Sequence, residues 1–167
     1  MKGRLNWNKN WNLGVVEMDE AHQSIAAKLD RLFCLCRDHH GRLTHRTSLT
    51  RISEHLFFEL WEHLHKEEEL MVETGYPNEK EHLMEHYRLL EVFRHFLREV
   101  RCEREHFDLG VLRSLRSWFI NHLDDDDREL SQHILKYRRQ FVKRPQGRKS
   151  SHSPETFTLI DRFNASV

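Results

Sequence analysis

Apolar residues recur at intervals of three or four along most of this chain, the spacing of one buried helix face. From Asp19, read as an N-cap, the positions Met18, Ala21, Ile25, Leu29, Leu32 and Cys36 predict a first helix. The segment 38–46, DHHGRLTHR, is polar and contains a glycine, so a loop is expected there. A second helix follows on Leu49, Ile52, Leu56, Leu60, His63, Glu67 and Leu70, a stripe with two ionisable members. In Thr74-Gly75-Tyr76-Pro77-Asn78 a helix-ending glycine precedes a proline suited to starting the next element, which predicts a tight turn. The third helix carries His82, His86, Leu89, Phe93, Phe96 and Val100, and residues 104–110 form a second connection. A fourth, from about Val111 to Phe141, turns Leu112, Leu115, Phe119, His122, Leu123, Asp127, Leu130, Ile134 and Tyr137 inward.

Helices joined by short connections pack antiparallel, so residues 18–142 are expected to form an all-α, up-down-up-down four-helix bundle. Residues 1–17 hold Trp7 and Trp11 without periodicity and read as an N-terminal arm packing on the bundle. Residues 143–167 lose the helical repeat and gain Pro, Gly and Ser, as a flexible extension does; their Lys143, Arg144, Arg148 and Lys149 offer a small basic patch on which a protein partner could dock.

Composition narrows the function. At 167 residues the chain is the size of one domain, and 27 basic residues balance 27 acidic ones, which argues against nucleic acid or an anionic membrane as partner. No stretch approaches the roughly 18 apolar residues of a membrane span, and no apolar core follows the basic start as in a secretory leader. A cytoplasmic monomer is expected. Its cysteines, Cys34, Cys36 and Cys102, are odd in number and fit reduced thiols. The 14 histidines outnumber the 6 glycines and 3 prolines together, and this excess requires an explanation.

Several histidines fall on inner stripes, where an ionisable group without a partner costs several kcal/mol, of order ~5. His63 and Glu67 stand one helical turn apart, and His82 and His86 repeat that spacing on the next helix. Glu67 and His63 lie 9 and 13 residues before Tyr76 in the turn, His82 and His86 6 and 10 after it, so the two pairs overlap in height. The first helix adds His22, and the fourth adds His122 and Asp127. Five imidazoles and two carboxylates are too many for one ion. If both carboxylates and a solvent oxygen bridge two octahedral ions, one coordination position is left open. The ligand types suit iron, zinc, copper or nickel without choosing among them.

The segments WNLGVVEMDEAH (11–22), HLHKEE (63–68) running into LMVETGYP, HLMEH (82–86) and WFINHLDDDD (118–127) together resemble hemerythrin, most closely its bacterial members. The resemblance covers roughly residues 7–138. It implies a non-haem di-iron centre that binds O2 reversibly, as a carrier, store or sensing module. His82, His86 and His122 would hold one iron, His22 and His63 the other, with Glu67, Asp127 and a solvent oxygen as bridges and the open position on the two-histidine iron. Ile25, Leu64, Trp118 and Leu123 would line an apolar O2 pocket. Leu64 stands where the family commonly has an aromatic residue.

A di-iron enzyme acting on peroxide, nitric oxide or O2 is the alternative. Against it, no proton donor stands out beside the ligands, and the histidine-rich set differs from carboxylate-rich oxidase sites. In a regular helix, five residues turn the chain ~140° beyond a full turn, so Asp126 is geometrically easier than Asp127 as a partner of His122. A π-bulge between His122 and Asp127 would bring that pair into line. The remaining histidines, His39, His40, His45, His55, His65, His95, His106, His133 and His152, fit no ligand spacing and are expected at the surface or rim.

Overall fold

The computed structural model describes residues 7–38, 46–102 and 109–142. A short 3-10 turn, Lys9–Trp11, precedes α1 (Val16–Asp38), α2 (Arg46–Thr74), α3 (Glu79–Arg101), α4 (Leu109–Asp124) and α5 (Asp126–Val142). α2 packs on both α1 and α3, α4 closes against α3 and α1, and α5 continues α4 past a break at Asp125. The result is the expected all-α four-helix bundle, with α4 and α5 together as the fourth rod. Among the described residues, no helix is long and apolar enough to cross a membrane.

The core follows the apolar stripes. Ile25, Leu29 and Leu32 of α1, Leu56 and Leu60 of α2, Leu89, Phe93 and Phe96 of α3, and Leu112 and Leu115 of α4 are all buried. Four members of the expected stripes, Ala21, Ile52, Leu70 and Tyr137, are only half-buried. Met71, fully enclosed, takes the inner place of Leu70, and Tyr137 stands near the end of α5.

Asp19 is not the N-cap of α1. The helix starts three residues earlier, where the Val15 carbonyl accepts from Met18 N–H at 3.1 Å and Asp19 N–H at 2.9 Å. The Asp19 carboxylate instead folds back to accept the backbone N–H groups of Leu13 at 2.6 Å and Gly14 at 3.0 Å. This ties the arm to the bundle. Gly14, at φ 86°, makes the bend, and Trp7 closes the arm by donating its indole N–H to Asn12 Oδ1 at 2.9 Å. Arg128 of α5 donates to the Asn10 carbonyl at 3.1 Å.

The turn between α2 and α3 is a Schellman motif. Tyr76 N–H bonds the Met71 carbonyl at 2.9 Å and Gly75 N–H bonds that of Val72 at 3.3 Å, with Gly75 at φ 64°. Buried Tyr76 sets its ring edge-on to His82 of α3 and His133 of α5, and Asn78 donates its side-chain N–H to Glu129 at 2.8 Å. This turn sets the relative height of α2 and α3.

The histidine-rich segment 39–45, the connection 103–108 and the tail 143–167 lie outside the described residues, and with them His39, His40, His45, His106 and His152.

Candidate metal centre

Each helix delivers its polar residues to one level of the bundle. His22 comes from the second turn of α1, His63 and Glu67 from α2, His82 and His86 from the first half of α3, His122 from the end of α4 and Asp127 from the start of α5. All seven are at most 5% exposed. Their donor atoms form two groups, His82, His86 and His122 on one side and His22 and His63 on the other, with Glu67 and Asp127 common to both. Within each group the atoms lie within 4.8 Å of one another.

The two carboxylates divide their oxygens between the groups. Glu67 Oε1 is 3.2 Å from His63 Nε2 and 3.7 Å from His22 Nε2, while Oε2 is 3.2 Å from His86 Nε2 and 4.0 Å from His82 Nε2. Asp127 places Oδ2 3.1 Å from His22 Nε2, and Oδ1 3.1 Å from His122 Nε2 and 3.3 Å from His82 Nε2. Although these are ion-pair distances, both Glu67 oxygens, Asp127 Oδ1 and the Nε2 atoms of His22, His82, His86 and His122 make no aligned hydrogen bond. The atoms face a shared space rather than one another. Buried polar atoms left this way are costly, and cations placed among them would give them partners. The cluster could hold metal ions.

Electrostatics agree with that reading. Burial pushes Glu67 upward and Asp127 adds to it, yet His63, His22 and His86 hold it below the usual carboxylate range. Asp127 is likewise held well below that range, against its burial, by His122, His22 and His82. Burial alone would lower His22 and His122, but Asp127 and Glu67 raise His22 to about 9, and Asp127 and Asp126 raise His122 to about 10. Burial takes His63 down to about 4, opposed in part by Glu67. The two carboxylates stay ionised, so without a metal the site keeps protons on some of its imidazoles.

Asp125 explains how both Asp126 and Asp127 reach His122. The helix is interrupted there by a single turn residue between α4 and α5, with no π-helical segment among the described residues; Asp125 itself keeps bonds of i→i+4 span, its N–H to the Asn121 carbonyl at 2.9 Å and its carbonyl from Glu129 N–H at 3.2 Å. Beyond the break Asp127 is buried in the cluster, while Asp126 stays at the rim with Oδ2 2.9 Å from His122 Nδ1. Asp126 therefore lies behind the imidazole and Asp127 in front of it.

Of the expected pocket residues, Ile25, Leu64 and Leu123 are buried, and Trp118, half-buried, stacks on His122 with ring centroids 4.4 Å apart. Ile25 also lines a small cavity of about 10 Å³ whose walls are wholly apolar. Leu60, Leu89 and Phe119 share it, and these four stand three residues from His22, His63, His86 and His122 in turn. The cavity thus sits one helical turn from the ligand cluster. Phe119, its ring 6.0 Å from that of His22, is expected inward from the sequence but not among the pocket residues.

Glu68, buried at 2% exposure behind His86, was not singled out in the sequence. Its place four residues after Leu64 and three before Met71, on an apolar stripe, is the signal that marks it. Of the histidines outside the cluster, His55 and His95 are exposed and His65 is half-buried, stacked on Trp61. His133 is a tie rather than a bystander, its Nε2 3.0 Å from the Thr74 carbonyl at the end of α2.

No protein-family model matches the chain. The chain is 28% identical over 149 residues to the bacteriohemerythrin of Stenotrophomonas maltophilia (strain R551-3), a match covering 85% of this chain and 89% of that protein. Its fold matches the crystal structure of a hemerythrin variant carrying a leucine-to-alanine substitution, with a TM-score of 0.69 at 19% identity, over 78% of this chain and 96% of that one. A leucine-to-phenylalanine variant matches with a TM-score of 0.69 at 20% identity, over 79% and 98%. The resemblance to hemerythrin carried by the motifs is borne out by the sequence relative and by the fold.

Proposed function

We propose that this chain, similar to bacteriohemerythrin in sequence and hemerythrin-like in fold, holds a non-haem di-iron centre and binds O2 reversibly, as a binding protein rather than an enzyme. The observation that carries the reading is the division of Glu67 and Asp127, each with one oxygen toward His22 and the other toward the three-histidine group. A single ion would not use such an arrangement. The unpartnered buried nitrogens and oxygens around it fit a pair of cations.

His82, His86 and His122 would hold one iron and His22 and His63 the other, with Glu67 and Asp127 shared. When bound, the iron pair supplies the reversible two-electron chemistry toward O2. The chain's part is to hold the ligands and exclude water. Five imidazoles and two carboxylates leave the two-histidine side one protein ligand poorer, so access for a small molecule is expected there. Phe119 and Ile25 border that side, and an apolar cavity of this size stays dry. Among the described residues, no further acid or base points at the His22–His63 side beyond the bridging pair, which favours binding over turnover.

The deciding experiment is metal analysis together with visible spectroscopy under cycles of O2 and argon. The expected result is two irons per chain and a charge-transfer absorption that appears with one O2 per iron pair and disappears on its removal. Steady consumption of O2 or peroxide without a reversible spectrum would overturn the reading.

A further inference from the structure

The two halves of the cluster differ in what stands behind their imidazoles. On the three-histidine side, His122 has Asp126 Oδ2 2.9 Å from its Nδ1, and His86 has Glu68 Oε1 3.8 Å from its Nδ1. Both histidines turn Nε2 toward the shared carboxylates. On the other side, His22 also turns Nε2 inward, and its Nδ1 is buried with no hydrogen-bond partner, as are those of His82 and His86, but no carboxylate stands behind it. Among the described residues, the carboxylate contacts of His22 and His63 are with Glu67 and Asp127 alone.

A carboxylate behind an imidazole accepts its Nδ1–H, which fixes the tautomer with Nε2 free for a metal, orients the ring and makes it a stronger donor. Glu68 is suited to this by its position. It is 2% exposed, neither oxygen has a hydrogen-bond partner, and its nearest ring nitrogens are those of His86 and, at 3.7 Å, His65. Closing the gap to His86 by about an ångström would give a buried carboxylate the bond it lacks.

We infer that Asp126 and Glu68 are positioning residues that make the three-histidine half the tighter ion site, so that metal loading is ordered and that half fills first. The inference rests on the two-ion reading above. The bridging carboxylates are shared and cannot discriminate between the halves. The third imidazole biases them in the same direction, so the contribution of the outer carboxylates is read from variants, not from the order of loading alone.

The test is a stepwise titration of the metal-free full-length chain with Co(II), followed by its visible ligand-field bands and by calorimetry. The wild type should bind in two resolved steps. Asp126→Ala and Glu68→Leu should each weaken the first step roughly 10- to 100-fold and change its band, leaving the second step in place. Asp126→Asn, which keeps an acceptor oxygen for the ring N–H, should recover part of the loss. Asp124→Ala, which removes an exposed member of the same acidic run paired with Arg128, should leave both steps unchanged. Melting of each metal-free variant checks folding, and if Asp126→Ala does not fold, the Asp126→Asn comparison stands in for it.

The inference is overturned if the outer-carboxylate variants leave the first step unchanged, if they weaken both steps equally, or if Asp124→Ala reproduces their effect. Wild-type chain that binds fewer than two ions overturns both this inference and the di-iron reading. Two ions with an indifferent first step overturn this one only.

Discussion

His22 Nε2 lies 3.1 Å from Asp127 Oδ2, which joins the first helix of the bundle to the last at the level of the ligand cluster. The same aspartate turns its second oxygen to His82 and His122, so the two residues are not equivalent. His22→Ala should leave the three-histidine side intact and retain about one ion per chain. Asp127→Ala removes a ligand from both sides and should abolish stable loading. Metal content after gel filtration separates the two cases, and equal losses would contradict the sharing of Asp127.

Protonation should oppose loading. His22 and His122 have folded pKa values of about 9 and about 10 in the metal-free chain, above the ordinary 6.5. A raised histidine stabilises the fold fully below its unfolded pKa and loses that contribution as pH rises through the folded value. The metal-free chain should therefore become less stable between about pH 7 and pH 10. Metal uptake at neutral pH should release protons, measured as a dependence of the binding heat on the buffer's ionisation enthalpy. Heats independent of buffer would rule this out.

Removing the metal should itself cost stability, because it leaves buried nitrogens and oxygens on six of the seven ligand side chains without a counterpart. A clearly lower melting temperature for chelator-treated chain, restored by adding metal, is expected. An unchanged one would mean that the cluster is satisfied without metal.

Phe119 is 4% exposed and lines the apolar cavity beside His22. Phe119→Ala should destabilise the chain by about 3–5 kcal/mol and open the site to water. On the proposed function, the O2-dependent spectrum of the variant should decay faster than that of the wild type. Thermal melts and the decay rate under air test the two effects separately.

Gly75 has φ 64° and no neighbour within 4 Å of where a Cβ would lie, so Gly75→Ala reports backbone conformation alone. A loss of about 1 kcal/mol is expected, measurable by denaturant unfolding. A larger loss would show that the turn also governs how the ligands of α2 and α3 align.

The bundle and the seven inward residues were legible because burial imposes a strict repeat. His63, Glu67, His82 and His86 could be placed at one height by counting from Tyr76, since the intervening turn is short and closes on Gly75. What counting missed depends on local choices between competing acceptors. Asp19 has the residue type of a cap, but it serves the N–H groups of Leu13 and Gly14, a demand created by an arm without a repeat of its own. The geometric conflict between His122 and Asp127 correctly pointed to an irregular helix. Its solution at Asp125, a one-residue turn rather than a bulge, depends on backbone bonds that residue types do not encode. Glu68 was hidden beside Glu67, where adjacent carboxylates look like one ligand and one solvated neighbour.

The reach of Asp127 back to His22 has a consequence for the unfolded chain. None of the three cysteines forms a disulfide, so no covalent link limits the excursions of the chain once it opens. A metal held between His22 and Asp127 closes a loop of about 100 residues, for which the chain-entropy argument assigns a permanent cross-link about 4.7 kcal/mol. That figure is a ceiling for a link that can dissociate. On the proposed function, an ion there would be a removable staple whose strength follows metal supply, in a protein with no disulfide among its three cysteines.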